Sequence, residues 1–148
     1  MDINILVTKF RKAIEKAKNS ENSEFFRKFP TGQCGYTCDL LSEYLHENGY
    51  TEISYVCGSY YGKSFDELQS HAWLEVNGIV IDITSDQFKF HCEPIKNNIP
   101  VYVGPITNYY REVFEVDERD YHKHFGLCEE WTNYSELKTD YMAIMKYL

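Results

Sequence analysis

Basic charge is in short supply: 15 lysine and arginine side chains stand against 23 aspartate and glutamate, a formal charge of −8. A globally acidic chain is repelled by phosphate backbones unless it carries a local basic stripe, and no such stripe occurs, which excludes nucleic acid as a partner. Long hydrophobic runs are also missing. No stretch approaches the roughly 18 consecutive apolar residues that a membrane helix needs, so no membrane partner is expected. The opening Met1-Asp2-Ile3-Asn4-Ile5-Leu6-Val7 has neither a basic leader nor an apolar core long enough for a signal peptide, which points to a cytoplasmic protein. Five cysteines, an odd number, make a poor disulfide framework. Their spacing also lacks the Cys-x2-Cys pairs typical of structural zinc sites. The sets Cys34-x3-Cys38 and His122-x-His124-x3-Cys128 offer a weak alternative, so no metal is expected. Nor is there a cofactor motif.

What is present suits one compact domain over residues 1–148. Hydrophobic residues make up 43% and charged residues 26% of the chain. Aromatics reach 16%, thirteen of them tyrosine, a side chain common at grooves and interfaces. Apolar residues at helical spacing from Ile3 to Ala17, after Asp2 as N-cap, predict a first helix. A second is predicted from Cys34 to Glu47, stopped by Asn48-Gly49, with Cys34, Cys38, Leu41 and Leu45 along one face. Ile53–Tyr60 reads as a strand and Tyr61–Ser70 as a loop. Val101–Val103 is a short strand, Asn108–Trp131 is poorly patterned, and a last helix runs from about Tyr134 to Tyr147.

The strongest local signal is a hairpin. His71–Val76 and Ile79–Thr84 flank Asn77-Gly78, the pair best suited to a two-residue type I′ turn. That turn pairs residue 76 with 79 and 74 with 81. It leaves Ala72, Leu74, Val76, Ile79, Ile81 and Ile83 on one face and His71, Trp73, Glu75, Val80, Asp82 and Thr84 on the other. His71 and Asp82 then share a face one diagonal apart, within reach of a histidine ring leaning along the strand. An acid between Ile81 and Ile83 is costly to bury without such a partner. Cys34, opening a helix, gains from the unpaired N–H groups and dipole that lower a thiol's pKa. Gly32 and Gly35 beside it let backbone and substrate approach. The constellation is a nucleophile, a base and an acid that orients the base.

Gly32-Gln33-Cys34, His71-Ala72-Trp73 and Asp82-Ile83-Thr84 resemble the Cys, His and Asp boxes of transglutaminase-like thiol enzymes, in the same order. That superfamily spans peptidases, amidases, transglutaminases and arylamine acetyltransferases on a papain-like core. The resemblance covers about residues 29–88. It implies an α+β fold, with a helix opening at the nucleophile packed on an antiparallel sheet and the terminal helices outside. It also implies catalysis by Cys34, His71 and Asp82. The backbone N–H of Cys34 with the Gln33 side chain would receive the oxyanion, and Trp73 would pack on the Cys34 helix or touch substrate. The expected reaction is hydrolysis of an amide, peptide or isopeptide bond, glutamine deamidation included, on a protein, a peptide or a small acyl or amide substrate. Acyl transfer on the same triad is the nearest alternative, although Gly35 stands where animal transglutaminases have tryptophan. An inactive papain-like fold used as a protein-binding module is the alternative outside enzymes. Cys38 and Cys57 are expected in the core, Gln87 in a turn with a place lining the site as the lesser alternative, and His122 and His124 on a solvated face.

Overall fold

The structure, a computed structural model, describes residues 2–148. Four α-helices occur among these residues, with a five-stranded antiparallel sheet, an α+β architecture. Helix α1 (Ile3–Lys18) starts as its sequence predicts: the Asp2 carboxylate accepts the backbone N–H groups of Asn4 and Ile5. A short α2 (Glu24–Lys28) follows, in a stretch without a helical pattern in its residues. Helix α3 (Cys34–Glu47) ends ahead of Gly49, whose φ of +94° suits glycine.

Strand β1 spans Ile53–Tyr60, β2 Gln69–Val76, β3 Ile79–Asp82, β4 Tyr102–Pro105 and β5 Glu115–Lys123; the last helix, α4, spans Tyr134–Met145. The sheet order is β4-β3-β2-β1-β5. Asn77 (φ +51°) and Gly78 (φ +78°) make the hairpin turn, and the register is the expected one: Val76 opposite Ile79 and Leu74 opposite Ile81. Strand β3 stops at Asp82 rather than Thr84, because the Asp82 carboxylate takes the Thr84 N–H and turns the chain into a 3₁₀ turn over Ser85–Phe88.

Both faces of the hairpin are buried. Ala72, Leu74, Val76, Ile81 and Ile83 join residues of α1, α2, α3 and α4 in the main core. The terminal helices are therefore not outside. Val7, Phe10 and Ile14 of α1 and Leu137, Tyr141 and Ile144 of α4 are part of that core. Val56, Trp73 and Val80 point the other way, under Phe88, Ile95, Tyr110 and Phe114. The segment that follows β3 thus folds back over the second face and walls in whatever stands there. No helix among the described residues is long and apolar enough to cross a membrane.

Candidate active site

Three element ends meet at one place. Cys34 is the first residue of α3, His71 lies near the start of β2, and Asp82 ends β3. Cys34 is half-buried, while His71 and Asp82 are 0% and 1% exposed. The His71 Nε2–H donates to Asp82 Oδ2 at 2.7 Å, the diagonal contact expected of the register. That bond leaves Nδ1 for the Cys34 thiol, which is hydrogen-bonded to His71. Asp82 is itself held on every side. Its Oδ1 accepts the Thr84 backbone N–H at 3.0 Å, and its Oδ2 accepts the Tyr110 hydroxyl at 2.9 Å.

The charges follow from these contacts. Burial alone would lower the pKa of His71, but the Asp82 charge and hydrogen bond, with the Cys34 thiol opposite, push it up to about 9. Burial would raise the Cys34 thiol. The hydrogen bond and charge of His71 outweigh it, aided by the Ala72 backbone N–H and the Gln87 amide, and hold the thiol below its ordinary range. Burial would likewise raise Asp82, yet His71, Thr84 and Tyr110 keep its carboxyl low. All three shifts run towards one arrangement, a thiolate beside an imidazolium oriented by a carboxylate, the protonation pattern a thiol nucleophile needs. By contrast, Cys38 one turn on is buried and its thiol is raised well above the ordinary value.

Gln87 lies in the expected turn, the 3₁₀ turn over Ser85–Phe88, and from there stands beside this pair. Its Oε1 accepts the Gly32 N–H at 3.2 Å, and its Nε2 donates to the Thr84 carbonyl at 3.0 Å. The same nitrogen lies 3.4 Å from His71 Nδ1 and bonds the Cys34 thiol. Gln87 therefore straps the glycine loop before α3 to the turn after β3. Behind it, buried Arg11 grips Asp86 with two bonds of 2.8 and 2.9 Å and donates to the Ile83 carbonyl at 2.7 Å, which fixes the turn.

Gln33 and Trp73 are placed differently from expectation. Gln33 is the N-cap of α3 and lines a separate cleft of about 530 Å³ with Ser23, Tyr36 and Asp140. Trp73 is 0% exposed, so substrate does not reach it. Its indole N–H donates to Glu75 at 2.9 Å, its ring packs on Tyr110 and 5.6 Å from His71, and it faces the second core rather than α3. Its role there is to floor the histidine.

His122 is exposed and stacks on Tyr55 at 5.1 Å. His124 is not on a solvated face. It is 5% exposed, bonds Asp39 Oδ1 at 2.7 Å and accepts the Gly126 N–H at 3.0 Å, which pins the segment after β5 to α3. Cys57 is half-buried rather than in the core. Among the described residues no three His, Cys, Asp or Glu side chains gather as a metal site would require.

The chain matches no family model, no curated protein and no solved structure. The case for chemistry at this site accordingly rests on its own residues.

Proposed function

We propose that the chain is a thiol-dependent hydrolase of amide, peptide or isopeptide bonds, glutamine side-chain amides included, built on a papain- or transglutaminase-like core. One observation carries the reading: His71 is held between the Asp82 carboxylate, at 2.7 Å, and the Cys34 thiol at the start of a helix. Simple packing does not call for a buried histidine set between a buried carboxylate and a thiol, because burying such groups is costly unless they are paired.

In this mechanism the Cys34 thiolate attacks the carbonyl carbon. The oxyanion is met by the Cys34 backbone N–H, free at the helix start, and by the Gln87 amide that already reaches the sulfur. Gln87 takes the part first expected of Gln33. The His71 Nδ1–H protonates the leaving nitrogen, and Asp82 keeps the ring turned and its charge balanced. The acyl-enzyme is then released by water, from which His71 takes a proton as base.

Hydroxylamine tests the proposal, because it intercepts an acyl-enzyme as a hydroxamate. Incubated with mixed glutamine-containing and lysine-isopeptide peptides, the wild-type chain is expected to yield peptide hydroxamates, and Cys34→Ala and His71→Ala none. Capture that outpaces hydrolysis, with ordinary primary amines as well as hydroxylamine, would reassign the reaction to acyl transfer. Absence of hydroxamate and of any cleaved or deamidated peptide would contradict the proposal.

A further inference from the structure

A second free thiol lies across the β1–β2 ladder from the residue that Cys34 touches. The Cys34 sulfur accepts the backbone N–H of Ala72, and Ala72 is paired directly with Cys57 across the β1–β2 ladder. Directly paired residues project to the same face with Cβ atoms roughly 4.5–5.5 Å apart, so Cys57 flanks the residue that the Cys34 sulfur touches. The β1–β5 ladder breaks at this point. It pairs Val56 with Tyr121, omits Cys57, and resumes with Gly58 opposite Val116. Such irregularities re-aim side chains and are common beside functional sites. Tyr55 links the same two elements: its hydroxyl is 3.4 Å from where a Cβ on Gly35 would stand, and it bonds the Cys57 thiol. Cys34 and Cys57 are both half-buried free thiols.

We propose that Cys57 is the resolving thiol of Cys34: a hydroperoxide oxidises Cys34, and Cys57 closes a reversible Cys34–Cys57 disulfide that silences the site and spares the nucleophile from irreversible oxidation. The Cys34 thiolate attacks one oxygen of hydrogen peroxide and the O–O bond breaks. Cys34 becomes a sulfenic acid, and the released hydroxide leaves as water with the His71 proton. The Cys57 sulfur then attacks the Cys34 sulfur, and the S–O bond breaks. The departing hydroxide takes the proton that Cys57 loses. Two thiols and one peroxide give one disulfide and two waters, and a dithiol reverses the change.

Cys38 is the wrong partner. It is buried and its thiol is raised well above the ordinary range, whereas Cys57 is half-buried and sits where the β1–β5 ladder opens. Burial raises the Cys57 thiol, so ring closure quickens as pH rises above neutral.

The inference rests on Cys34 being a reactive thiolate beside His71, and on no amide substrate. Its test is stoichiometric hydrogen peroxide added to the intact wild-type chain, then maleimide blocking and peptide mapping. The expected product is a single Cys34–Cys57 disulfide, with maleimide reactivity restored to both by dithiothreitol. In Cys57→Ser and Cys57→Ala, Cys34 is expected to remain as a dimedone-reactive sulfenic acid and to lose more thiol irreversibly. Wild-type Cys34 passing to sulfinic acid while Cys57 stays maleimide-reactive would overturn the pairing, as would a Cys34–Cys38 bond. Cys34 reacting with peroxide no faster than exposed Cys92 would overturn the thiolate reading beneath it as well.

Discussion

At the scale of single residues, the site is a set of buried charges that tolerate one another only together. Asp82 illustrates this. It accepts bonds from His71, Thr84 and Tyr110 and is almost wholly buried. Asp82→Asn keeps the shape but removes the charge that holds the imidazolium. The expected loss, read from urea unfolding, is about 3–5 kcal/mol, the usual cost of breaking a buried pair by removing one partner. NMR titration of His71 is expected to show its pKa falling from about 9 to below neutral in the same variant. The two glutamines test the proposed oxyanion role against a neighbour whose side chain makes no capping bond and lines a separate cleft. Gln87→Ala is expected to slow turnover by roughly 10²-fold, the usual cost of losing one oxyanion donor, whereas Gln33→Ala leaves it within about threefold. Equal losses from both substitutions would remove Gln87 from its assigned role. The pairing of His71 with Asp82 was legible because Asn77-Gly78 fixes the hairpin register, and register fixes faces. Gln87 and Tyr110 were not. They arrive through a 3₁₀ turn and an unpatterned segment, where no periodicity says which way a side chain points.

At the scale of elements, legibility followed burial pattern. Helix α3 and strand β1 carry strong periodicity or strong stop signals and lie where the sequence put them, and the β2–β3 hairpin keeps its turn and register although β2 starts at Gln69 rather than His71 and β3 ends at Asp82 rather than Thr84. Strand β5 left no such trace. It is an exposed edge strand of charged and polar residues, which suits blocking of edge pairing but breaks any alternating pattern. His124 was misplaced for the same reason: it lies in the unpatterned stretch, and its burial depends on Asp39 of α3, far away in sequence. The second core was also invisible, because it is assembled from scattered aromatics that cover Trp73. Gly58 shows how tightly they close. A Cβ there would sit 2.8 Å from Phe114 Cβ and 3.1 Å from both the Phe114 carbonyl oxygen and the Trp73 ring. Gly58→Ala is accordingly expected to cost about 1–3 kcal/mol by overpacking and to disturb His71, its partner across the β1–β2 ladder. Urea midpoints check the first effect. A His71 chemical shift unchanged from wild type would contradict the second.

For the whole molecule, the site writes itself into the pH dependence of folding. His71 is raised to about 9 from an ordinary value of about 6.5. It binds its proton more tightly when folded, so its stabilisation is complete below about 6.5 and is lost as pH rises through about 9. Cys34, held low, contributes in the opposite sense, with stability that grows as pH rises towards the ordinary thiol range. In Cys34→Ser the opposing contribution is gone, together with the part of the His71 rise that Cys34 supplies, and the urea midpoint is expected to fall as pH rises above about 6.5, over a window that closes below the wild-type value of about 9. His71→Gln added to that background is expected to flatten the slope.

The central claim, a thiolate at Cys34 maintained by His71, is tested most directly by the rate of iodoacetamide labelling at each cysteine against pH, in wild type and in His71→Ala. The account predicts rapid labelling at Cys34 with an apparent pKa well below the free-thiol value of about 8.5. It also predicts a loss of about tenfold or more near neutral pH in His71→Ala, with Cys38 and Cys57 slow throughout. Labelling of Cys34 no faster than that of Cys57, and indifferent to His71, would contradict it.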